Sequence, residues 1–250
     1  MITKTLLDEL AEKYEIKNFI SSDPIQFPHL YKNSNDIEIA GFIAAVFAFG
    51  SRKVFIEKLK TLFQLMENQP TDFILNGNLN LLSDFNYRFA KPEDIKNILL
   101  TLRKLYKESR GLSEIFEYGY KRDHSIKSAL STVADFFYAN NTSTQGFNFM
   151  IANPKNGGAM KRMNMYLRWM IRKSVVDLGI WDFIPTSELL IPIDTHVAKV
   201  SRKLGLLERN SNDFKAVLEL TNKLKEFDSK DPIKYDFALF GAGIEGLYKD

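Results

Sequence analysis

Cysteine is absent from this chain of 250 residues. That absence removes disulfides, cysteine-ligated zinc, thiolate catalysis and iron–sulfur clusters. Histidine is scarce. His29, His124 and His196 lie far apart and offer no spacing that a metal-binding motif needs. Long apolar runs are missing as well. The longest, residues 40–50, is too short to cross a bilayer and suits a buried core helix. The segment MITKTLLDELAEKYEIKNFI carries charges throughout, with no apolar stretch or small-residue cleavage site of the kind a signal peptide has. No membrane partner is expected, and the expected location is the cytoplasm. Alternating strand patterns, repeats and low-complexity tracts are also lacking.

What is present is helical periodicity almost everywhere. Leu6, Leu7, Leu10 and Tyr14 form one stripe, and Ile39, Phe42, Ile43, Val46 and Phe47 another. Val54, Leu59, Leu62 and Phe63 follow a break at Gly50-Ser51, with Ser51 as N-cap. Pro92-Glu93-Asp94 opens a further helix, with proline in the first turn and acids at the positive end of the dipole. Residues 130–137, 214–227 and 235–248 read as helices too. The expectation is an all-α fold of about ten short helices.

Net charge is only +3, so its distribution matters more than its sum. Residues 151–204 hold nine basic side chains against four acidic ones, and the rest of the chain is slightly acidic. A basic region on a near-neutral background is the footprint of a phosphate-backbone binder, or of a solvated helix face. On a helix over 160–173, Lys161, Arg168 and Arg172 fall within about 20° of one line, over a floor of Met163, Leu167 and Met170. Ahead of it, Asn153-Pro154 stops a short helix, and Lys155-Asn156-Gly157-Gly158 makes a turn into the next helix start. Free N–H groups there favour an anion, so this is either a phosphate grip or an ordinary αα-hairpin. Further on, Asp194-Thr195-His196-Val197 reads as a capped helix start, with Val197, Val200 and Leu204 buried and Gly205 at the C′ position.

The run Asp194-Thr195-His196-Val197, with Lys/Arg residues and then Leu204-Gly205, resembles the V-D-T-H-V…R-L-G segment of the helix-hairpin-helix DNA glycosylases, the endonuclease III-like repair enzymes. Asn156-Gly157-Gly158-Ala159-Met160-Lys161 fits their glycine hairpin, with Lys161 at the place of the lysine in members that also cut the backbone. Residues 161–170 and 192–196 resemble more closely an uncharacterised bacterial branch without the iron–sulfur cluster. The clear resemblance covers about residues 144–206. Three departures stand out. Ala159 replaces the second hairpin glycine, the stretch from Lys161 to Asp194 is longer than usual, and no cysteine exists to hold a cluster.

The resemblance implies a two-lobed helical fold over 1–250. Residues 36–140 and 141–206 would supply the central helices, with the helix-hairpin-helix at about 144–173. Residues 1–35 and 207–250 would pack as terminal helices of the second lobe. It implies a base-excision glycosylase with abasic-site lyase activity, acting as a monomer on damaged duplex DNA at the nucleoid, RNA not being excluded. Lys161 would be the Schiff-base nucleophile and Asp194 the electrostatic stabiliser and proton acceptor. DNA would be held by Lys155, Asn156, Gly157, Gly158, Ala159, Arg162, Arg168, Arg172, His196 and Lys199, with Arg52 and Lys53 as further contacts. No metal or organic cofactor is implied beyond a monovalent cation on hairpin carbonyls. Phe49, Trp169, Trp181 and Tyr235 are candidates for a base pocket, with Trp169 weighted toward core, and Asp236 is weighted toward packing. A non-catalytic nucleic-acid binder and a helical protein adaptor are the competing readings.

Overall fold

The computed structural model describes residues 3–108 and 111–248. Thirteen α-helices and several one-turn 3-10 helices make up the described residues, with no strand beyond isolated bridges. None of these helices is long and apolar enough to cross a membrane. The chain forms two compact units. One is Met1–Ser22 with Pro154–Asp250, and the other is Asp23–Asn153. One change of unit falls at the Asn153-Pro154 step and the other just before Asp23-Pro24, and proline disfavours a helical backbone in the residue before it. The boundaries therefore lie inside the stretches 1–35 and 141–206, each expected from the sequence to stay together.

The first unit begins with α1 (Lys4–Tyr14) and α2 (Lys17–Ser22). Thr3 caps α1 by accepting from the Leu6 amide, and Leu7, Leu10 and Ala11 are its buried stripe.

The second unit holds α3 (Ser34–Phe47), α4 (Arg52–Leu65), α5 (Pro70–Asn76), α6 (Pro92–Lys107), α7 (Gly111–Lys121), α8 (Ile126–Ala139) and α9 (Gln145–Met150). α3 is buried from Ile37 to Phe47, apolar throughout except for Glu38, which accepts from the Tyr106 hydroxyl and the Leu112 and Ser113 amides. Phe42 stacks on Phe137 of α8. Asp94 closes the start of α6 by accepting from the Lys91 amide at 2.9 Å. It also accepts from the Thr144 hydroxyl, which caps α9.

The chain then returns to the first unit through α10 (Lys161–Ile171), α11 (Thr195–Lys203), α12 (Phe214–Lys225) and α13 (Tyr235–Glu245). α13 is the buried axis of this unit, with α1 and α11 packed on it. Two glycines permit that. A Cβ on Gly241 would lie 2.2 Å from the Tyr14 ring, and one on Gly243 would lie 2.8 Å from the His196 Cβ. Gly246, at φ +69°, ends the helix.

Candidate functional site

The site is built within the first unit, from the turn before α10 and the starts of α10, α11 and α13. Pro154–Asn156 forms a 3-10 turn, closed by the Gly157 amide donating to the Pro154 carbonyl at 3.1 Å. Gly157 has φ +73°, a conformation that glycine adopts without cost. Lys155, Asn156, Gly157 and Gly158 are exposed, and a Cβ on either glycine would meet nothing within 4 Å. The back of the turn is anchored. The Phe214 amide donates to the Gly157 carbonyl at 2.9 Å, and Asn164 Nδ2 donates to the Ala159 carbonyl at 3.1 Å. Ala159 is not left-handed, so its methyl strains nothing there. The left-handed residue is Met160, the N-cap of α10, at φ +53°.

The carbonyls of Pro154, Gly157, Ala159 and Met160 already accept protein hydrogen bonds. No step is routed through a monovalent cation at this turn. Among the described residues no group of three or more acidic or histidine side chains could hold a metal ion.

Lys161, the first residue of α10, is half-buried and makes no hydrogen bond or ion pair among the described residues. Asp194 caps α11 as its sequence context requires, with Oδ1 accepting from the His196 and Val197 amides, both at 2.9 Å. Its other oxygen accepts nothing from the described residues. These two side chains come from distant parts of the chain, yet both act electrostatically on a third group, Asp236.

Asp236 lies in the first turn of α13 and is 7% exposed. Burial pushes its carboxyl up to about 7, against the pull of Arg168. The negative charges of Asp194 and Asp177 raise it further, and Lys161 lowers it.

Arg168 and Arg172 correct the sequence reading. They were expected on an exposed stripe with Lys161, facing phosphates, but they are 3% and 5% exposed. Arg168 Nε donates to Asp177 at 3.1 Å, and its Nη1 pairs with Asp236. Arg172 Nη1 donates to the other Asp177 oxygen at 2.9 Å and also meets Glu15. Its Nε reaches Asp231 at 2.8 Å. The ring of Phe237 lies 4.4 Å from the Arg168 guanidinium carbon. Burial opposes the charge on Arg172, but Glu15, Asp177 and Asp231 together hold it above the ordinary arginine range. Neither guanidinium is free to reach a phosphate.

The long segment after α10 explains the cage. Ser174 caps the turn that carries Asp177, and the Leu178 amide donates to the Trp169 carbonyl at 2.9 Å, folding the segment back along α10. The residues between Lys161 and Asp194 thus bring in the carboxylate that neutralises Arg168 and Arg172. Arg202, another of the basic residues in this region, is also engaged, bonding the Arg209 and Asn210 carbonyls.

The other expected residues are placed as follows. Arg162 is partly buried, and burial disfavours its charge. His196 and Lys199 are exposed on α11, with the His196 ring edge-on to Phe240. Arg52 and Lys53 open α4 in the other unit. Ser51 stands at the N-cap of α4, but its hydroxyl does not cap. Of the base-pocket candidates, Trp169, Trp181 and Tyr235 are buried in the first unit, whereas Phe49 belongs to the second and packs on Tyr87, Phe89 and Phe149. A cleft of about 580 Å³ in the first unit is lined by Asp8, Glu12, Glu15, Ser174 and Lys234, on the Glu15 side of the cage, and does not include Lys161 or Asp194.

Sequence reasoning weighted Asp236 toward packing over function, and it did not foresee that Glu15, Asp177 and Asp231 converge. Nothing local marks them, because each meets an arginine only through the tertiary fold. The family described as Protein of unknown function (DUF2400) matches residues 23–245. The chain belongs to that family. The matched region takes in the whole second unit and Lys161, Asp177, Asp194, Asp231 and Asp236, and it leaves out α1 with Glu15. No curated protein and no solved structure matches the chain.

Proposed function

We propose that this DUF2400 member is a DNA base-excision glycosylase with abasic-site lyase activity. On this reading the glycine turn leads into α10 as the second helix of a helix-hairpin-helix. The observation that supports the proposal is Lys161 at the start of α10, half-buried and without a hydrogen bond or ion pair among the described residues, directly after the exposed glycine turn and in the same unit as the Asp194 cap.

Breaking an N-glycosidic bond develops positive charge on the sugar, which an ionised carboxylate stabilises. Asp194 supplies it, held in place by the two amides it caps. Lys161, which pairs with nothing among the described residues, supplies the amine once its proton has gone. The amine nitrogen bonds to C1′ as the base leaves with the electron pair of the broken bond and takes a proton. Ring opening then gives an iminium. Loss of a 2′ proton expels the 3′ phosphate with its C–O electron pair. The exposed turn, Lys155–Gly158, holds a backbone phosphate without reading sequence, and His196 and Lys199 extend that surface. The substrate is damaged duplex DNA with the base flipped out, and the protein acts as a monomer.

The test is borohydride trapping on DNA that carries an abasic site. A cross-link that vanishes in Lys161→Ala supports the lyase. Duplex binding without any cross-link supports instead a binder that keeps the hairpin but not the chemistry. Absence of binding leaves only the fold.

A further inference from the structure

Three phenylalanine rings of the second unit, Phe49, Phe89 and Phe149, meet at its surface. The Phe49 and Phe89 rings are stacked, with centroids 5.7 Å apart, and the Phe149 ring stands edge-on to both, at 4.7 and 4.5 Å. Burial does not account for the arrangement. Phe149 remains 42% exposed on α9, whose buried residues are Gly146, Phe147 and Met150, and Phe49 and Phe89 are half-buried.

The rings are held from behind and rimmed by cations. Tyr87, buried against Phe49, donates its hydroxyl to the Phe49 carbonyl. Tyr87 and Ala90 exchange two backbone hydrogen bonds, of 3.0 and 2.9 Å, which close a turn with Arg88 and Phe89 at its tip. Arg88 is left-handed there, at φ +55°, a conformation that a residue with a side chain keeps only where its surroundings hold it. Its guanidinium carbon lies 5.9 Å from the Phe49 ring centre and 6.0 Å from that of Phe89. The side chain is exposed and makes no ion pair among the described residues. A Cβ on Gly50 would come within 2.4 Å of Arg88 Nη1, so the glycine leaves the guanidinium its place. The stretches 49–56, 86–92 and 145–149 add Arg52, Lys53 and Lys91 and contain no acidic residue.

We infer that this patch is a stacking platform for the unpaired bases of single-stranded DNA. The choice of DNA over RNA rests on the proposed function. Every base offers a π-face to an exposed ring, and phenylalanine has no polar group with which to read a base edge, so the platform tolerates any sequence. A stacked duplex hides those faces, so the platform takes strands that are already unpaired. Arg88 beside two of the rings adds a cation–π face. The cations around the rings, unopposed by an acid in the stretches that form the patch, suit a polyanion rather than an apolar protein surface.

The experiment measures binding of the full-length protein to a labelled oligothymidylate and to a labelled duplex of equal length, by fluorescence anisotropy at several salt concentrations. The single strand is expected to bind more tightly. Phe149→Ala should weaken strand binding at least about fivefold and leave duplex binding in place, whereas Phe149→Tyr, which keeps the ring, should keep the affinity. Arg88→Gln should weaken strand binding and lower its salt slope by about 0.7. A duplex bound as tightly as the strand, or a strand affinity that Phe149→Ala leaves unchanged, overturns the inference. So does an oligouridylate bound more tightly than the thymidylate, which assigns the platform to RNA. A dimer that dissociates in Phe149→Ser assigns the patch to a second copy of the chain and also overturns it. Borohydride trapping keeps this apart from the proposed function. Strand binding with the expected losses, in a protein that never traps an abasic site, sinks the lyase reading and leaves the platform standing. Trapping without a preference for the single strand overturns the platform alone.

Discussion

Arg168→Met tests most directly whether the basic face of α10 binds DNA or holds the protein together. Methionine matches the length of the aliphatic stem but removes the guanidinium from between Asp177 and Asp236, both buried. Breaking a buried pair from one side leaves uncompensated charge, at a cost of about 3–5 kcal/mol. The cost should depend on pH, and the direction follows from Asp236. In the wild type this carboxyl titrates at about 7, above its ordinary 3.8. It is therefore neutral at pH 5.5 and mostly ionised at pH 8. Ionisation gains the folded wild type about 1.4 kcal/mol between those two pH values. Without Arg168, which lowers the Asp236 titration, that gain disappears. The penalty of Arg168→Met should thus grow by about 1.4 kcal/mol from pH 5.5 to pH 8. Urea unfolding followed by tryptophan fluorescence reads the correct unit, because the two tryptophans of the chain, Trp169 and Trp181, both lie in it. A loss smaller than about 1 kcal/mol, or one that does not change with pH, would refute the buried cage, since exposed substitutions stay within about 0.5 kcal/mol. Arg168 would then belong on the surface, and its replacement would instead weaken DNA binding.

Wild-type stability should itself fall as pH rises from 5.5 to 8. A carboxyl whose folded titration is raised stabilises the fold below its unfolded value and loses that contribution as pH passes about 7, and a melting temperature higher at pH 5.5 than at pH 8 checks the sign. Asp194→Ala should cost about 1 kcal/mol through its two lost capping bonds and also abolish base release, whereas Asp194→Asn should keep the stability and lose the activity. Melting curves beside a cleavage assay separate the two effects. Gly157→Ala meets open space but must adopt φ +73°, so a loss of about 1 kcal/mol is expected, read by urea unfolding, with weaker duplex binding if the turn grips a phosphate. Lys155→Ala and Lys199→Ala should each reduce the salt slope of DNA binding by about 1, whereas Arg172→Lys should change stability and leave that slope alone.

Caps and long stripes were readable because the interactions behind them are local. Asp194 accepts from amides two and three residues ahead, and Gly205, at φ +70°, follows the end of α11 at the expected place. The apolar run at 40–50 lies mostly in a core helix, as an element apolar on all sides must. α2 and α5 carry fewer than two turns, too few for a hydrophobic period to show. The exposed turn with its lysine was legible for the same local reasons, because glycines, an Asn-Pro stop and a helix start are neighbours in the chain.

The sequence by itself determined an all-helical chain without cysteine chemistry, the glycine turn that leads into Lys161, and the cap at Asp194. Each of these follows from residue type and from spacings of a few residues. Only the tertiary structure decided what covers α10. A helical wheel places Lys161, Arg168 and Arg172 on one line but cannot say what packs against it. Glu15 from α1, Asp177 from the segment after α10, and Asp231 and Asp236 from the approach to α13 and its first turn close over the two arginines and leave Lys161 beyond the cage. The physical reason is desolvation. A buried guanidinium persists only where carboxylates meet it, and those carboxylates reach α10 through the fold of the first unit rather than through proximity in the chain.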